Sequence, residues 1–107
     1  MELVTQEVRD ALPGLHTSSG ERHDLVPIKF FDPTGSWTWY VIEFDGEDTF
    51  FGYVDGHYPE FGYFSLKELS EVEGMLGIGI ERDINWQPKT IGEIVDSVNA
   101  RVRGAIH

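Results

Sequence analysis

The sequence predicts an α+β domain in which an antiparallel β-meander of about four strands packs against two or three short helices. Two observations predict this fold. Aromatic residues, which suit strands, are concentrated in the centre of the chain, where thirteen of the fourteen lie between residues 30 and 64. Segments with helix-capping patterns flank this centre. Because 107 residues is a usual size for one globular domain, we expect a single acidic domain over residues 1–107.

The first element is a predicted short helix over residues 5–12. Thr5 is a suitable N-cap, Glu7 lies in the first turn where an acid suits the helix dipole, and Pro13-Gly14 ends the helix. Residues 15–24 show neither apolar content nor periodicity, so we expect an exposed loop there.

Four strands are predicted in the aromatic centre, over residues 27–32, 36–45, 48–55 and 62–64. Turn sequences separate the first three of them. Asp32-Pro33-Thr34-Gly35 has the composition of a β-turn, and the Asp-Gly pairs at residues 45–46 and 55–56 suit tight hairpins. The predicted strands therefore form an antiparallel meander.

The second strand has no plainly polar face. Alternation would place one set of side chains on one face, Trp37, Trp39, Val41 and Glu43, and the other set opposite, Thr38, Tyr40, Ile42 and Phe44. We therefore expect helices to cover both faces of the sheet.

Two helices with capping patterns can provide this cover. The first has Ser65 as cap and Glu68 three residues later, runs to about Val72 and is closed by Gly74. The second begins at Thr90-Ile91-Gly92-Glu93. Its apolar residues form one helical stripe, Ile91, Ile94, Val95, Val98 and Val102. Between the helices, Leu76, Ile78 and Ile80 alternate with glycines, which favours a short strand or a close-packed loop.

The charge balance excludes some partners. Nineteen acids against eight bases give a net charge of −11 and an isoelectric point near 4.5. Binding to nucleic acid or to an anionic membrane depends on Lys and Arg, so we expect neither. The chain has no cysteine, and its first seven residues lack the pattern of a signal peptide, so we expect a cytoplasmic protein.

The sequence has no catalytic or metal-ligating pattern beyond what its composition would produce by chance. The candidate metal donors, which lack any recognised ligand spacing, are His16, His23, Asp24, His57, Glu60 and His107. No nucleophile motif is present, and nineteen acids are too many for spacing to single out a pair. We therefore assign no catalytic residue, metal or cofactor, and whether the protein is an enzyme stays open, with a non-enzymatic role favoured.

Glu81-Arg82-Asp83 is the sharpest polar cluster. The structural interpretation is that ion pairs or bidentate hydrogen bonds tie this segment to a neighbour. The functional interpretation makes Arg82 an anion contact. We favour the structural interpretation because the flanking carboxylates offer Arg82 close partners.

The acids are concentrated in one part of the chain. Residues 43–83 contain eleven acids and two bases, a net charge of −9, whereas the remainder has a net charge of −2. Such an acidic surface suits a basic partner. The residues that we predict to contact this partner are Glu43, Asp45, Glu47, Asp48, Glu60, Glu71 and Glu73. Aromatic side chains that stay exposed would anchor a protein interface, because base stacking normally needs a basic track.

Four blocks of sequence carry a resemblance to a known family: Trp37-Thr38-Trp39-Tyr40-Val41-Ile42-Glu43, Phe50-Phe51-Gly52-Tyr53-Val54, Glu60-Phe61-Gly62-Tyr63-Phe64-Ser65-Leu66-Lys67-Glu68-Leu69 and Ile80-Glu81-Arg82-Asp83. With them the chain resembles, from about residue 12 to residue 94, a bacterial family known as domain of unknown function 2958. The resemblance implies a small cytoplasmic protein encoded on plasmids, integrative elements or phages, often near genes that blunt host defence. It implies no reaction and no catalytic residue.

Three functional hypotheses follow. The first is a mobile-element accessory protein that binds and obstructs a basic, nucleic-acid-binding protein surface, as an anti-CRISPR or anti-restriction inhibitor that mimics nucleic acid. The second is a hydrolase or nucleotide-modifying enzyme that uses carboxylates and a divalent metal ion. The third is a salt-adapted protein-interaction domain with an aromatic contact surface. The sequence leaves the oligomeric state open.

Overall fold

The computed structural model describes residues 2–18, 20–72 and 77–105. The helices are α1 (Gln6–Ala11), α2 (Leu66–Glu71) and α3 (Ile91–Ala105). The strands are β1 (Leu25–Val26), β2 (Ile28–Phe31), β3 (Thr38–Phe44), β4 (Thr49–Asp55), β5 (Pro59–Ser65), β6 (Glu81–Arg82) and β7 (Lys89–Thr90). Several positions named above lie outside the described residues: Glu73, Gly74, Leu76 and His107.

The main sheet has five antiparallel strands in the order β5-β4-β3-β2-β6. The predicted α+β meander is confirmed, because β2 to β5 are neighbours in chain order. The additional strand β6 pairs with the outer side of β2, and β1 pairs with β7 in a separate two-stranded sheet. Strands of two residues have no alternation that a sequence pattern could reveal.

The fourth strand is longer than the predicted 62–64. β5 begins at Pro59, opposite Asp55, and pairs with β4 through to Ser65, opposite Thr49. Proline is tolerated at the first residue of a strand at a sheet edge, where its missing N–H breaks no ladder bond. Glu60 therefore lies in a strand and not in the preceding loop.

A β-bulge in β3 changes the predicted alternation. Val41 lies opposite Gly52, but Glu43 lies opposite Phe51, so Ile42 is the extra residue. After the bulge the faces are exchanged. The prediction that Glu43 shares a face with Trp39 and Val41 is therefore wrong, and Phe44 takes that face instead.

Helices cover both faces of the sheet, as expected. One cluster combines α1, α2 and the first face of the sheet, and its core residues include Val8, Phe30, Phe44, Phe50 and Leu69. The other combines α3 with the second face, and its core residues include Val26, Ile42, Tyr53, Ile91, Ile94 and Val98. Burying each large apolar side chain contributes about 1.5–3 kcal/mol.

The predicted caps hold the helix N-termini. The Ser65 hydroxyl accepts a hydrogen bond from the Glu68 amide at 3.2 Å, and the Thr90 hydroxyl accepts one from the Glu93 amide at 3.1 Å. The Thr90 hydroxyl in turn donates to the Glu93 carboxylate at 3.2 Å, so Glu93 reaches back to the cap residue through its hydroxyl and not through the amide of the full capping pattern. Thr5 caps α1 in the same way. In α2 the carboxylate that contacts the first turn belongs to Asp48 of the preceding hairpin.

The segment after α2 is tied to β2. β6 pairs with β2 through its backbone, and the Asp83 amide donates to the Lys29 carbonyl oxygen at 2.9 Å. The Asp83 carboxylate also lies 3.8 Å from the Lys29 ammonium. These contacts are of the kind that the structural interpretation of this cluster expects.

Candidate functional site

Two tryptophans, one partly exposed and one buried, line a groove between α2 and the sheet. Trp37 is 36% exposed and Trp39 is 7% exposed, and their ring centroids lie 5.9 Å apart. The cavity between them and α2 has a volume of about 330 Å³. A neighbouring cavity of about 530 Å³ shares Trp37 and Glu60 and extends past His57.

The position of Trp37 follows from the turn before β3. The Asp32 amide donates to the Trp37 carbonyl oxygen at 3.0 Å, which closes the turn between β2 and β3. The indole then lies against Gly56, where a Cβ would come within 2.5 Å of the ring. His57 packs edge-on at a centroid distance of 5.4 Å. Trp37 is thus held in place while part of its surface stays exposed.

Carboxylates flank the two tryptophans. Glu60 of β5 and Glu68 of α2 line the groove, and Asp32 lines a further cavity of about 300 Å³ on another side of Trp37. Among the described residues that line these three cavities, none is Lys or Arg. The groove therefore combines exposed indole surface with negative charge.

The hairpin between β3 and β4 carries the densest group of acids, but its geometry is fixed by one of them. The Asp45 carboxylate accepts hydrogen bonds from the amides of Glu47, Asp48 and Thr49 at 2.8, 2.9 and 3.1 Å. Hydrogen bonds from the first two amides lower the pKa of Asp45. Asp45 is exposed and ionised, and it holds the turn.

Asp48 connects this hairpin to α2. Its carboxylate accepts from the Ser65 hydroxyl and from the Lys67 amide, both at 2.8 Å, and its carbonyl oxygen accepts from the Leu66 amide. The Leu66 and Lys67 amides are N–H groups of the helix N-terminus, which have no partner within the helix. Asp48 therefore has a structural role, because it stabilises the N-terminus of α2.

Glu43 is not a surface charge. Its side chain is 3% exposed and accepts hydrogen bonds from the His16 amide at 3.0 Å and the Ser18 amide at 2.8 Å. Burial pushes the pKa of Glu43 up, but the hydrogen bonds from Ser18 and His16 outweigh burial and hold the pKa below its usual value. The bulge in β3 turns Glu43 away from the groove, so we remove it from the predicted contact set.

Three of the predicted contact residues are exposed, and their carboxylates have no described partner. Within residues 2–18, 20–72 and 77–105, Glu47, Glu60 and Glu71 have no side-chain hydrogen bond or ion pair. The seventh, Glu73, lies outside the described residues. Two bases lie beside the hairpin: Arg9 donates to the Gly46 carbonyl oxygen, and Lys67, in the first turn of α2, donates its amide to Asp48. The excess of negative charge is thus clearest along the groove.

The sequence did not single out the groove. The sequence feature that could have revealed the groove is the Trp-x-Trp pattern at the start of a strand, because alternation places Trp37 and Trp39 on one face. What alternation cannot show is that α2 returns across this face and leaves a gap beside Trp37. Glu68 and Asp32 enter the site only through this arrangement.

The described residues contain no group of three His, Asp or Glu side chains that could hold a metal ion. None of the helices in the described part of the chain is long and apolar enough to span a bilayer.

The fold and the groove define a small acidic α+β domain in which a partly exposed tryptophan lies beside carboxylates. The chain belongs to the family described as protein of unknown function (DUF2958), whose model matches residues 3–106. The expected family membership is thereby confirmed over nearly the whole chain. Comparisons with curated proteins and with solved structures give no match.

Proposed function

We propose that this protein binds a basic surface of another protein and obstructs it. The observation that supports this proposal is the tryptophan groove, in which the partly exposed Trp37 lines one cavity with Glu60 and another with Asp32, whose carboxylate also accepts hydrogen bonds from Thr34. An arginine or lysine side chain is attracted to an indole face, and a neighbouring carboxylate completes the contact with a charge-assisted hydrogen bond.

The exposed acids whose carboxylates have no described partner have a second role in this proposal. Ion pairs at an exposed rim add little affinity each, but their field steers the encounter and orients the partner. Glu47 and Glu71 suit this role, because both are exposed and the carboxylate of neither contacts another described side chain.

The partner that we propose is a nucleic-acid-binding surface of a host defence complex. A surface that binds phosphates is basic, so an acidic protein that covers it competes with nucleic acid. The family resemblance implies mobile elements and neighbouring genes that blunt host defence. CRISPR effectors and restriction enzymes are therefore the complexes to test first.

The test is a competition assay. The protein is added to a purified effector or restriction enzyme bound to labelled DNA, and DNA release is followed by fluorescence anisotropy at about 0.05 M and about 0.5 M NaCl. We expect release at the lower salt concentration and at least about tenfold weaker competition at the higher one. Competition that does not depend on salt would contradict the proposal.

Two variants of equal net charge separate position from total charge. Glu60→Lys/Glu71→Lys reverses two exposed acids within residues 43–83, one of which lines the groove, and Glu2→Lys/Glu21→Lys reverses two exposed acids outside residues 43–83. We expect the first variant to lose about tenfold in affinity, ~1.4 kcal/mol, and the second to lose much less. Equal losses would mean that only the total charge matters.

A further inference from the structure

β5 forms one edge of the main sheet. All seven of its residues, Pro59 to Ser65, pair with β4 in an unbroken register, and among the described strands β4 is its only neighbour. Exposed sheet edges are usually protected by lysines, bulges or a short strand length. β5 has no base and no bulge, so beyond its initial proline its outer edge is suited to pair with another strand.

The two faces of this edge differ in chemistry. Glu60 and Phe64 point to the side of α2, where Glu60 lines the groove and Phe64 stacks on Phe50 at 5.3 Å. Phe61 and Tyr63 point to the other side, where they are 44% and 57% exposed. The ring centroid of Phe61 lies 4.8 Å from that of Tyr53, and the centroid of Tyr63 lies 5.1 Å from that of Phe51. Tyr53 and Phe51 belong to the cluster that α3 covers, whereas Phe61 and Tyr63 lie outside it.

We infer that the outer edge of β5 accepts an extended segment of the basic partner as an additional strand, and that this segment alternates Lys or Arg with apolar residues. The inference rests on the proposed function. In an added strand, every second side chain would lie beside Glu60 and the groove, and the others would lie beside Phe61 and Tyr63. Backbone hydrogen bonds supply affinity, and this alternation supplies specificity.

Charge argues for a basic partner segment and against a second copy of this chain. Each copy has a net charge of −11, so two copies repel each other, and edge-to-edge pairing would add the Glu60 of each copy to one interface. A basic segment instead neutralises Glu60 and Glu68 when it pairs.

The first experiment uses synthetic peptides of about nine residues, the length that pairs along a strand such as β5. One peptide alternates Lys and Val, one has the same composition with its lysines grouped, and one alternates Thr and Val. Affinity is measured by calorimetry, and amide hydrogen exchange of β5 is measured by NMR. We expect the alternating Lys-Val peptide to bind at least about tenfold more tightly than the grouped one, and to slow exchange of the β5 amides that face outward.

A matched pair of variants tests the position of the contact. Tyr63→Lys places a positive charge on the β5 edge, and Leu25→Lys makes the same change in charge at a side chain of β1 that is equally exposed, 59% against 57%. We expect Tyr63→Lys to weaken binding of the Lys-Val peptide at least about tenfold, and Leu25→Lys to leave it within about twofold.

The outcomes separate this inference from the proposed function. Tight binding of the Lys-Val peptide with unchanged exchange in β5 would overturn strand addition and leave the proposed function standing. Equal binding and protection by the Thr-Val peptide would overturn the basic character of the partner. A dimer of the protein alone, detected by sedimentation and dissociated by Tyr63→Lys, would assign the edge to a second copy and also overturn the inference.

Discussion

The Glu43 carboxylate orders the loop that precedes the sheet. It is buried at the bulge in β3, and it accepts hydrogen bonds from the His16 amide, the Ser18 amide and the Ser18 hydroxyl. Three donors satisfy a carboxylate that water cannot reach, which is why burial of this charge is tolerated. The acid therefore serves the fold, although its sequence neighbours are surface acids.

We expect Glu43→Gln to lower the free energy of unfolding by about 1.5–3 kcal/mol at neutral pH, because the amide group of Gln replaces a charged acceptor with a donor that faces other donors. The pKa of Glu43 is lowered in the folded protein, so its contribution to stability is complete above its unfolded pKa of about 4.3 and is lost as the pH falls through its folded pKa. The difference between wild type and variant should therefore shrink as the pH falls below this unfolded value.

Urea unfolding at a series of pH values measures this difference. The matched control is Glu47→Gln, at an exposed acid whose side chain has no hydrogen bond to another described residue, and it should change stability by less than about 0.5 kcal/mol. A difference for Glu43→Gln that stays constant down to low pH would show that the charge of Glu43 does not contribute.

Residue roles were predictable from the sequence where they depend on neighbours along the chain. Thr5, Ser65 and Thr90 cap their helices as predicted, because a cap contacts an amide three residues away. The roles of Glu43 and Asp48 were not predictable. Their partners lie 17 to 27 residues away, and only the folded sheet brings them together.

At the scale of elements, the bulge in β3 brings two backbones unusually close. Gly52 of β4 lies beside it, and a Cβ at this position would be 2.2 Å from the Tyr40 carbonyl oxygen. Gly62, its partner in β5, has no atom within 4 Å of such a Cβ. The two glycines face each other across one ladder, but only Gly52 is required by packing.

We expect Gly52→Ala to destabilise the protein by more than about 2 kcal/mol, because β3 or β4 must move to admit the methyl group. Gly62→Ala is the matched control, and it should be neutral or stabilise by up to about 1 kcal/mol, since it restricts the unfolded chain without a clash. Midpoints and slopes of urea unfolding curves measure both effects. Equal effects of the two substitutions would contradict the close approach at the bulge.

The longer elements were predictable because periodicity needs several residues to show itself. The three helices and the four meander strands appear near their predicted positions, whereas β1, β6 and β7 have two residues each and carry no pattern. The groove was not predictable either. It exists because α2 leaves Trp37 uncovered at one end of the sheet, and that depends on the path of the chain between distant elements.

At the scale of the whole molecule, two described bases outside the acidic segment form ion pairs that involve residues of α3. Arg22 pairs with Asp96 of α3 at 2.7 Å, and Arg101 of α3 pairs with the buried Asp55 at 2.8 Å. The hydrogen bond to Asp55 raises the pKa of Arg101, so this base stays charged. These bases therefore compensate acids away from the groove, and among the described residues no base pairs with the carboxylates of Glu60 and Glu68.

This distribution predicts how salt changes stability. Repulsion among acids opposes folding, and ions screen it, so raising NaCl from about 0.02 M to about 0.5 M should increase the free energy of unfolding by about 1 kcal/mol. Glu60→Lys/Glu71→Lys should flatten this dependence more than Glu2→Lys/Glu21→Lys, although both variants have the same net charge, because only the first relieves repulsion where the acids are crowded. Urea unfolding at each salt concentration measures the slopes. A protein that folds only near about 1 M salt, with equal slopes for the two variants, would instead support the salt-adapted domain, in which charge serves hydration of the whole surface and not a partner.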